Sequence, residues 1–176
     1  MINIFGEEEF RPIVRYCKEI PEYLVSKDAK VFSEKTNKFR SPSSVWRYSA
    51  SGEKTLVKLK VDFDIPSGYY SDYSFRKRRE TDSNELISIA LHRVVMETWR
   101  PIDEYPPEQL EEEWFEVITP DMVGQPRIPP NTRQWVRDTA LVDHKDDDPS
   151  NNHVDNLRWV IPKDNEPNRK KHDQGS

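Results

Sequence analysis

The stretch from Thr139 to Val160 constrains this chain more than any other. Two β-leaning runs, Thr139 to Val142 and Leu157 to Val160, flank a loop too polar to be buried. The loop reads Asp143-His144-Lys145-Asp146-Asp147-Asp148-Pro149-Ser150-Asn151-Asn152-His153-Val154-Asp155-Asn156, and a short helix can start at Pro162. The segment therefore predicts a strand, a loop, a returning strand and a helix, with oxygen and nitrogen side chains converging on the middle of the unit.

Upstream the pattern changes twice. From Glu22 to Leu59 apolar and polar residues alternate in short runs, Tyr23 to Ser26, Lys30 to Ser33 and Thr55 to Leu59, with a polar turn at Lys27-Asp28. Alternation of this kind predicts a small twisted antiparallel sheet. Residues 64 to 82 are aromatic, polar and basic without a period, and read as a linker or long loop. From Asn84 to Trp99 the residues Ile87, Leu91, Val94 and Val95 are spaced to share one helix face, with Asp82 or Ser83 as cap and Pro101 as stop. A second helix is expected from Pro107 through Glu111-Glu112-Glu113, burying Leu110, Trp114 and Ile118. Residues 119 to 134 hold four prolines and read as an extended connection.

Composition narrows the function classes. One cysteine, Cys17, excludes an intrachain disulfide and any structural zinc site with two or more thiolates. No apolar run approaches the roughly 20 residues of a membrane span, and the first residues are acidic where a signal peptide is basic. A soluble, cytoplasmic protein is expected, without a membrane partner. The 19 aromatic residues can anchor a thin core, given a mean hydropathy of -0.93. The net charge of -5 is unevenly spread. Residues 1 to 60 carry 12 basic and 8 acidic groups, whereas residues 101 to 140 carry 3 basic and 9 acidic ones. If a polyanion is the partner, the first third should track its phosphates.

The segment Asp143 to Asn165 resembles the active-site motif of the HNH nucleases, in the branch of phage homing endonucleases with Asn at the third position. His144, Asn156 and Asn165 match the three letters, at spacings of 12 and 9 residues. Leu91 to Val95 is similar to the helix preceding the motif, and Tyr23 to Ser33 is similar to the family's N-terminal hairpin element. The resemblance implies an α+β protein in two parts. Residues 1–80 form an antiparallel β-rich DNA-binding element with a basic linker, and residues 81–176 form a helical segment and a ββα-metal (His-Me finger) nuclease motif. It implies cleavage of double-stranded DNA in a phage-infected host cytoplasm, as a site-directed nick or double-strand break.

Phosphodiester hydrolysis needs a nucleophilic water, a cation for charge on the phosphorane and a stabilised leaving oxygen. Asp143 and Asn165 are hard oxygen donors suited to one Mg²⁺ or Mn²⁺. His144, on the opposite side of the strand from Asp143, is the candidate general base. Asn156 is expected to bond backbone groups across the loop. Lys27, Lys30, Lys35, Lys38, Arg40 and Arg47 are expected on a DNA-facing ribbon. Arg76, Lys77, Arg78 and Arg79 either grip phosphates or form a solvated loop. Leu157 and Trp159 should face the core, and Arg158 DNA or solvent.

Other residues have plainer readings. Asp146, Asp147 and Asp148 read as a solvated turn, Asn151 and Asn152 as turn formers, and His153 as the loop exit. His92 reads as a packed, hydrogen-bonded histidine. The acidic helix around Glu111 to Glu116 is expected to face away from DNA, and the acidic insertion 101–138 is open to a protein partner. Where the family's hairpin has glycine this chain has Ala29, so the turn there must differ or be strained. Pro167 should shorten or kink the terminal helix. With 11 residues after Asn165, the C-terminal helix-turn-helix of many relatives is not expected. The rival reading is a DNA-binding or accessory protein that keeps the fold without turnover.

Overall fold

The computed structural model describes residues 2–5, 8–70, 76–77, 83–115, 117–118, 125–126 and 128–162, the short strands at 2–5, 76–77, 117–118 and 125–126 by their backbone. The fold is α+β, with every strand pairing antiparallel. β1 (Ile2–Phe5), β2 (Glu8–Arg15), β3 (Lys18–Ser26), β4 (Val31–Ser33) and β5 (Lys38–Arg40) form a five-stranded meander. β6 (Ser43–Tyr48), β7 (Lys54–Pro66), β8 (Arg76–Lys77) and β9 (Asn84–Ala90) form a second sheet in the order β6-β7-β9-β8. The alternating N-terminal region thus makes two sheets rather than one. Asp64 to Pro66, read as the start of a linker, complete β7.

Strand alternation explains how the first sheet is buried on both sides. Tyr23 and Val25 of β3 enter the main core, while Leu24 between them points the other way, into a small cluster with Phe10 and Phe32. Phe39 lids that cluster, its ring centroid 5.4 Å from that of Phe32 and 6.1 Å from that of Phe10. The main core joins Val61, Phe63 and Ile65 of β7 to Ile87 and Ile89 of β9, and continues to Val154, Leu157 and Trp159 in the C-terminal hairpin. Buried apolar contacts therefore run across residue 80.

The expected helix from Asn84 to Trp99 is half strand. Only α1 (Leu91–Trp99) is helical, and it starts at Ala90 without a side-chain cap, so neither Asp82 nor Ser83 serves as one. Residues 84–90 pair with β7 over seven positions, from Lys60↔Ala90 to Pro66↔Asn84. Ile87 and Ile89, two residues apart and β-branched, reach one core face only in a strand. The four predicted core positions, Ile87, Leu91, Val94 and Val95, are all buried, and the helix stops at Trp99 before Pro101.

The acidic stretch is also more structured than its sequence suggests. From Pro107 onward there is a 3₁₀ turn, Glu108–Leu110, and a five-residue helix α2 (Glu111–Phe115), not one long helix. Trp114 is buried and Leu110 packs beside the core, while Ile118 belongs to β10 (Val117–Ile118), paired with β11 (Gln125–Pro126). The supposed extended connection contains the start of α3 (Pro130–Thr139). Pro130 occupies a first-turn position, where the missing N–H costs nothing, so this proline begins a helix instead of excluding one. Arg133 lies 5.0 Å from the Trp114 ring centre, and Arg137 donates to Asp103 at 2.7 Å, which ties α3 to the preceding loop. Among the described residues, no helix is long and apolar enough to cross a membrane.

Candidate active site

The C-terminal hairpin consists of β12 (Leu141–His144) and β13 (Leu157–Val160), in the register Leu141↔Val160, Val142↔Trp159, Asp143↔Arg158 and His144↔Leu157. Four residues per strand give a weak ladder, and tertiary anchors hold it. Leu157, Trp159 and Val160 are buried, as the alternation predicts for the first two. The Trp159 indole donates to the Arg100 carbonyl at 2.8 Å, and Arg93 donates to the Ala140 carbonyl at 3.1 Å, so both ends of α1 grip the hairpin.

Asp143 and His144 are consecutive on β12 and project to opposite sides. The Asp143 carboxylate is largely shielded, and its Oδ2 accepts from Arg158 Nε at 3.1 Å and Nη2 at 2.8 Å. Arg158, expected to face DNA or solvent, is exposed but has its guanidinium turned partly onto Asp143. The cross-strand register puts the two side chains face to face, and opposite charges at that position attract.

On the other side, His144 Nε2 lies 3.2 Å from Asn152 Oδ1. Asn152 is buried, and its Nδ2 donates to the carbonyls of Pro149 at 3.2 Å and Ser150 at 3.0 Å. The His92 ring stands edge-on to His144, with centroids 5.3 Å apart. His92 is packed, as its sequence position suggests, but its Nδ1 finds no hydrogen-bond partner among the described residues. Burial, reinforced by His144, Lys58 and Arg93, pushes the His92 pKa down to about 3. This ring is neutral near pH 7.

Asn156 braces the loop. Its Nδ2 donates to Asp146 Oδ1 and to the Asn151 carbonyl, each at 2.8 Å, while its own carbonyl accepts from Lys145 N–H at 2.8 Å. Asp146 is exposed yet collects further bonds from Asp148 N–H at 2.9 Å and Asn151 Nδ2 at 2.7 Å. These donors, Asn156 foremost, hold the Asp146 carboxyl down at about 2. It is therefore a hub of the turn, a more specific role than the solvated reading. Asp148 caps Ser150 through N–H at 2.8 Å and hydroxyl at 2.7 Å, and Asp147 adopts a left-handed φ of 61°.

His153 stands apart from His144. Its Nδ1 accepts from Asp155 N–H at 3.2 Å, capping the Val154–Asn156 turn, and its Nε2 lies 3.3 Å from Asp28 Oδ1. The Val154 N–H donates to the Lys27 carbonyl at 3.0 Å. The N-terminal turn is thus docked on the loop, and that turn carries Ala29 at φ 63°, the conformation its glycine-free sequence makes costly.

The predicted cationic positions scatter over two sheets. Lys27 lies 5.1 Å from the Trp99 ring centre, Lys30 pairs with Glu8 at 2.7 Å, and Arg40 donates to the Asp62 carbonyl at 3.1 Å. Lys35, Lys38 and Arg47 are exposed. Arg76 and Lys77 form β8, whereas Arg78, Arg79, Asn165, Pro167 and the proposed terminal helix lie outside the described residues. Among the described residues no group of three or more His, Cys, Asp or Glu side chains forms a cation site. Asp143 supplies one hard oxygen donor of the implied pair, chemistry that suits a divalent cation. Asn152 and Asp146 are what the sequence reading passed over. Both look like ordinary turn formers, and only the burial of one and the convergence of donors on the other single them out.

No curated protein matches the chain. A solved structure described as DNA binding and cleavage by the HNH homing endonuclease I-HmuI aligns with 18% identity and a TM-score of 0.43. The alignment covers 96% of this chain and 61% of that one, so this chain spans less than two thirds of that protein's length. Residues 127–166 match the family model described as HNH endonuclease, which takes in α3, both strands of the hairpin and the whole braced loop. By this segment, 40 of the 176 residues, the chain is similar to the HNH endonuclease family.

Proposed function

We propose that the chain is a metal-dependent DNA endonuclease that hydrolyses phosphodiester bonds, working as a free-standing homing endonuclease of phage type. The observation that carries the reading is the pairing of Asp143 and His144 on consecutive, opposite-facing positions of β12, inside a segment that matches the HNH family. Asp143 and Asn165 would hold one Mg²⁺ or Mn²⁺, which neutralises charge building on the phosphorane when bound. His144 takes a proton from the attacking water, a contribution of roughly 10² to 10⁴ in rate. Asn156 keeps the loop closed behind it, and Arg158 steadies the Asp143 carboxylate.

Residues 1–80 grip double-stranded DNA and residues 81–176 cut it. The β6–β7 hairpin supports the first half of that division. It is exposed on both faces of β6 and carries Trp46, Arg47, Tyr48 and Lys54, a ribbon of cations and aromatic surface. The acidic helix α2 faces away from phosphate, and the acidic stretch 101–138 is the place for a protein partner.

The test is incubation of supercoiled plasmid and phage genomic DNA with the protein in EDTA, Mg²⁺ or Mn²⁺, beside His144→Ala. The expected result is metal-dependent nicked or linear product that disappears in the variant while DNA binding survives. Binding without cleavage under every metal would replace this reading with that of a DNA-binding protein lacking turnover.

A further inference from the structure

The buried Asn152 lies inside the loop but matches none of the three letters of the motif, and its hydrogen bonds determine something about His144 that the motif does not. An amide side chain can be placed either way round, with oxygen and nitrogen exchanged. Here the choice is fixed. Nδ2 faces two carbonyl oxygens, those of Pro149 and Ser150, and only a donor is stable there. The remaining amide atom, Oδ1, is an acceptor, and it faces His144 Nε2 at 3.2 Å. An acceptor at that distance requires Nε2 to carry the proton. In a neutral imidazole the other nitrogen, Nδ1, then holds the lone pair.

We propose that Asn152 is a positioning residue for His144, holding the imidazole as the Nε2–H tautomer and aiming the basic Nδ1 at the attacking water. This rests on the nuclease reading for its consequence, but not for its geometry. A proton passes from water to Nδ1. The oxygen left behind forms a bond to phosphorus as the ester bond to phosphorus breaks, and the departing oxygen takes up a proton from solvent. His92, edge-on at 5.3 Å, limits how far the ring can turn, and burial of Asn152 shields the amide from competing water. The arrangement resembles in principle the way a second group orients a catalytic or metal-bound histidine through its far nitrogen.

The test has two arms. In protein labelled with ¹⁵N-histidine, the ring nitrogens of His144 are assigned by comparison with His144→Ala, and the tautomer is read without DNA or metal. The wild type should show protonated Nε2 and unprotonated Nδ1 at a pH where the ring is neutral. Asn152→Ala should move the ring toward a mixture of the two tautomers. In cleavage assays the same variant should lose about 10- to 100-fold in kcat, with KM for DNA within about twofold of wild type. An Nδ1–H wild type would overturn the proposal, even if Asn152→Ala proves unable to fold. So would a folded variant that keeps the wild-type tautomer, or one that raises KM and leaves kcat alone. A wild type that cuts no DNA would remove the nuclease reading, while the spectrum would still decide what Asn152 does to His144.

Discussion

Two hairpins of this chain make opposite use of the same antiparallel geometry. The β6–β7 hairpin pairs from Ser43↔Lys60 to Tyr48↔Lys54, with an irregularity between Val45 and Trp46, and leaves Trp46, Arg47 and Tyr48 exposed. The β12–β13 hairpin has only four pairs, yet buries Leu157, Trp159 and Val160 and ties its loop with side-chain bonds from Asn156, Asn152, Asp146 and Asp148. The long ribbon is held by its ladder and is left as surface. The short hairpin is held by what surrounds it, and so can keep Asp143 and His144 in fixed directions. Precision in this chain comes from tertiary and loop contacts, not from strand length.

The sharpest way to break that contrast is to truncate one apolar side chain in each hairpin. Leu157→Ala should cost about 2–5 kcal/mol in chemical denaturation, because Leu157 is fully buried and a cavity would remain. Trp46→Ala, on the exposed ribbon, should cost less than about 1 kcal/mol despite the larger side chain lost. Equal losses would show that the ribbon is also a structural element.

Acid should act on the anchored hairpin through His92. Its folded pKa is pushed to about 3 from an ordinary 6.5, so the unfolded chain binds the extra proton first. The contribution of neutral His92 is therefore complete above pH 6.5 and is lost progressively as pH falls toward about 3. His92→Leu should flatten the slope of unfolding free energy against pH in that window. An unchanged slope would locate the acid sensitivity elsewhere.

The ribbon is sharpened by salt. Arg47→Ala combined with Lys54→Ala should lower the slope of log K against log salt for DNA by about 2, roughly one for each phosphate contact, with cleavage chemistry at saturating DNA preserved. Loss of kcat with an unchanged slope would contradict a phosphate-gripping ribbon. The smallest effect belongs to Ala29→Gly, which relieves a left-handed φ of 63° in the turn that docks on Val154. A gain of about 0.5–1 kcal/mol in thermal or denaturant unfolding is expected, offset in part by the greater freedom of glycine in the unfolded chain.

What could be read in advance followed from local chemistry. The spacing of His144 and Asn156, the β-leaning runs around them, and the alternation of Leu157 and Trp159 announced the hairpin, because a strand's period and a turn's Asx preference are properties of neighbouring residues. The strain at Ala29 was legible for the same reason. The misplaced boundary in 84–99 has a different cause. Ile87 fits a helix with Leu91, Val94 and Val95 as well as it fits a strand with Ile89, and only β7 lying alongside decides between them. Pro130 likewise reads as a breaker until its place at the start of α3 is known.

At the site, the amino-acid sequence by itself determined which chemical groups are present, their order along the chain and the alternation that separates Asp143 from His144. Only the tertiary structure decided that Asn152 is buried with its amide oriented, that Arg158 lies across from Asp143, and that His92 meets His144 edge-on across a distance of 52 residues. A hydrogen bond's direction depends on what occupies both ends. For Asn152 the deciding partners, the carbonyls of Pro149 and Ser150, act only after the loop has closed around Asp146 and Asn156.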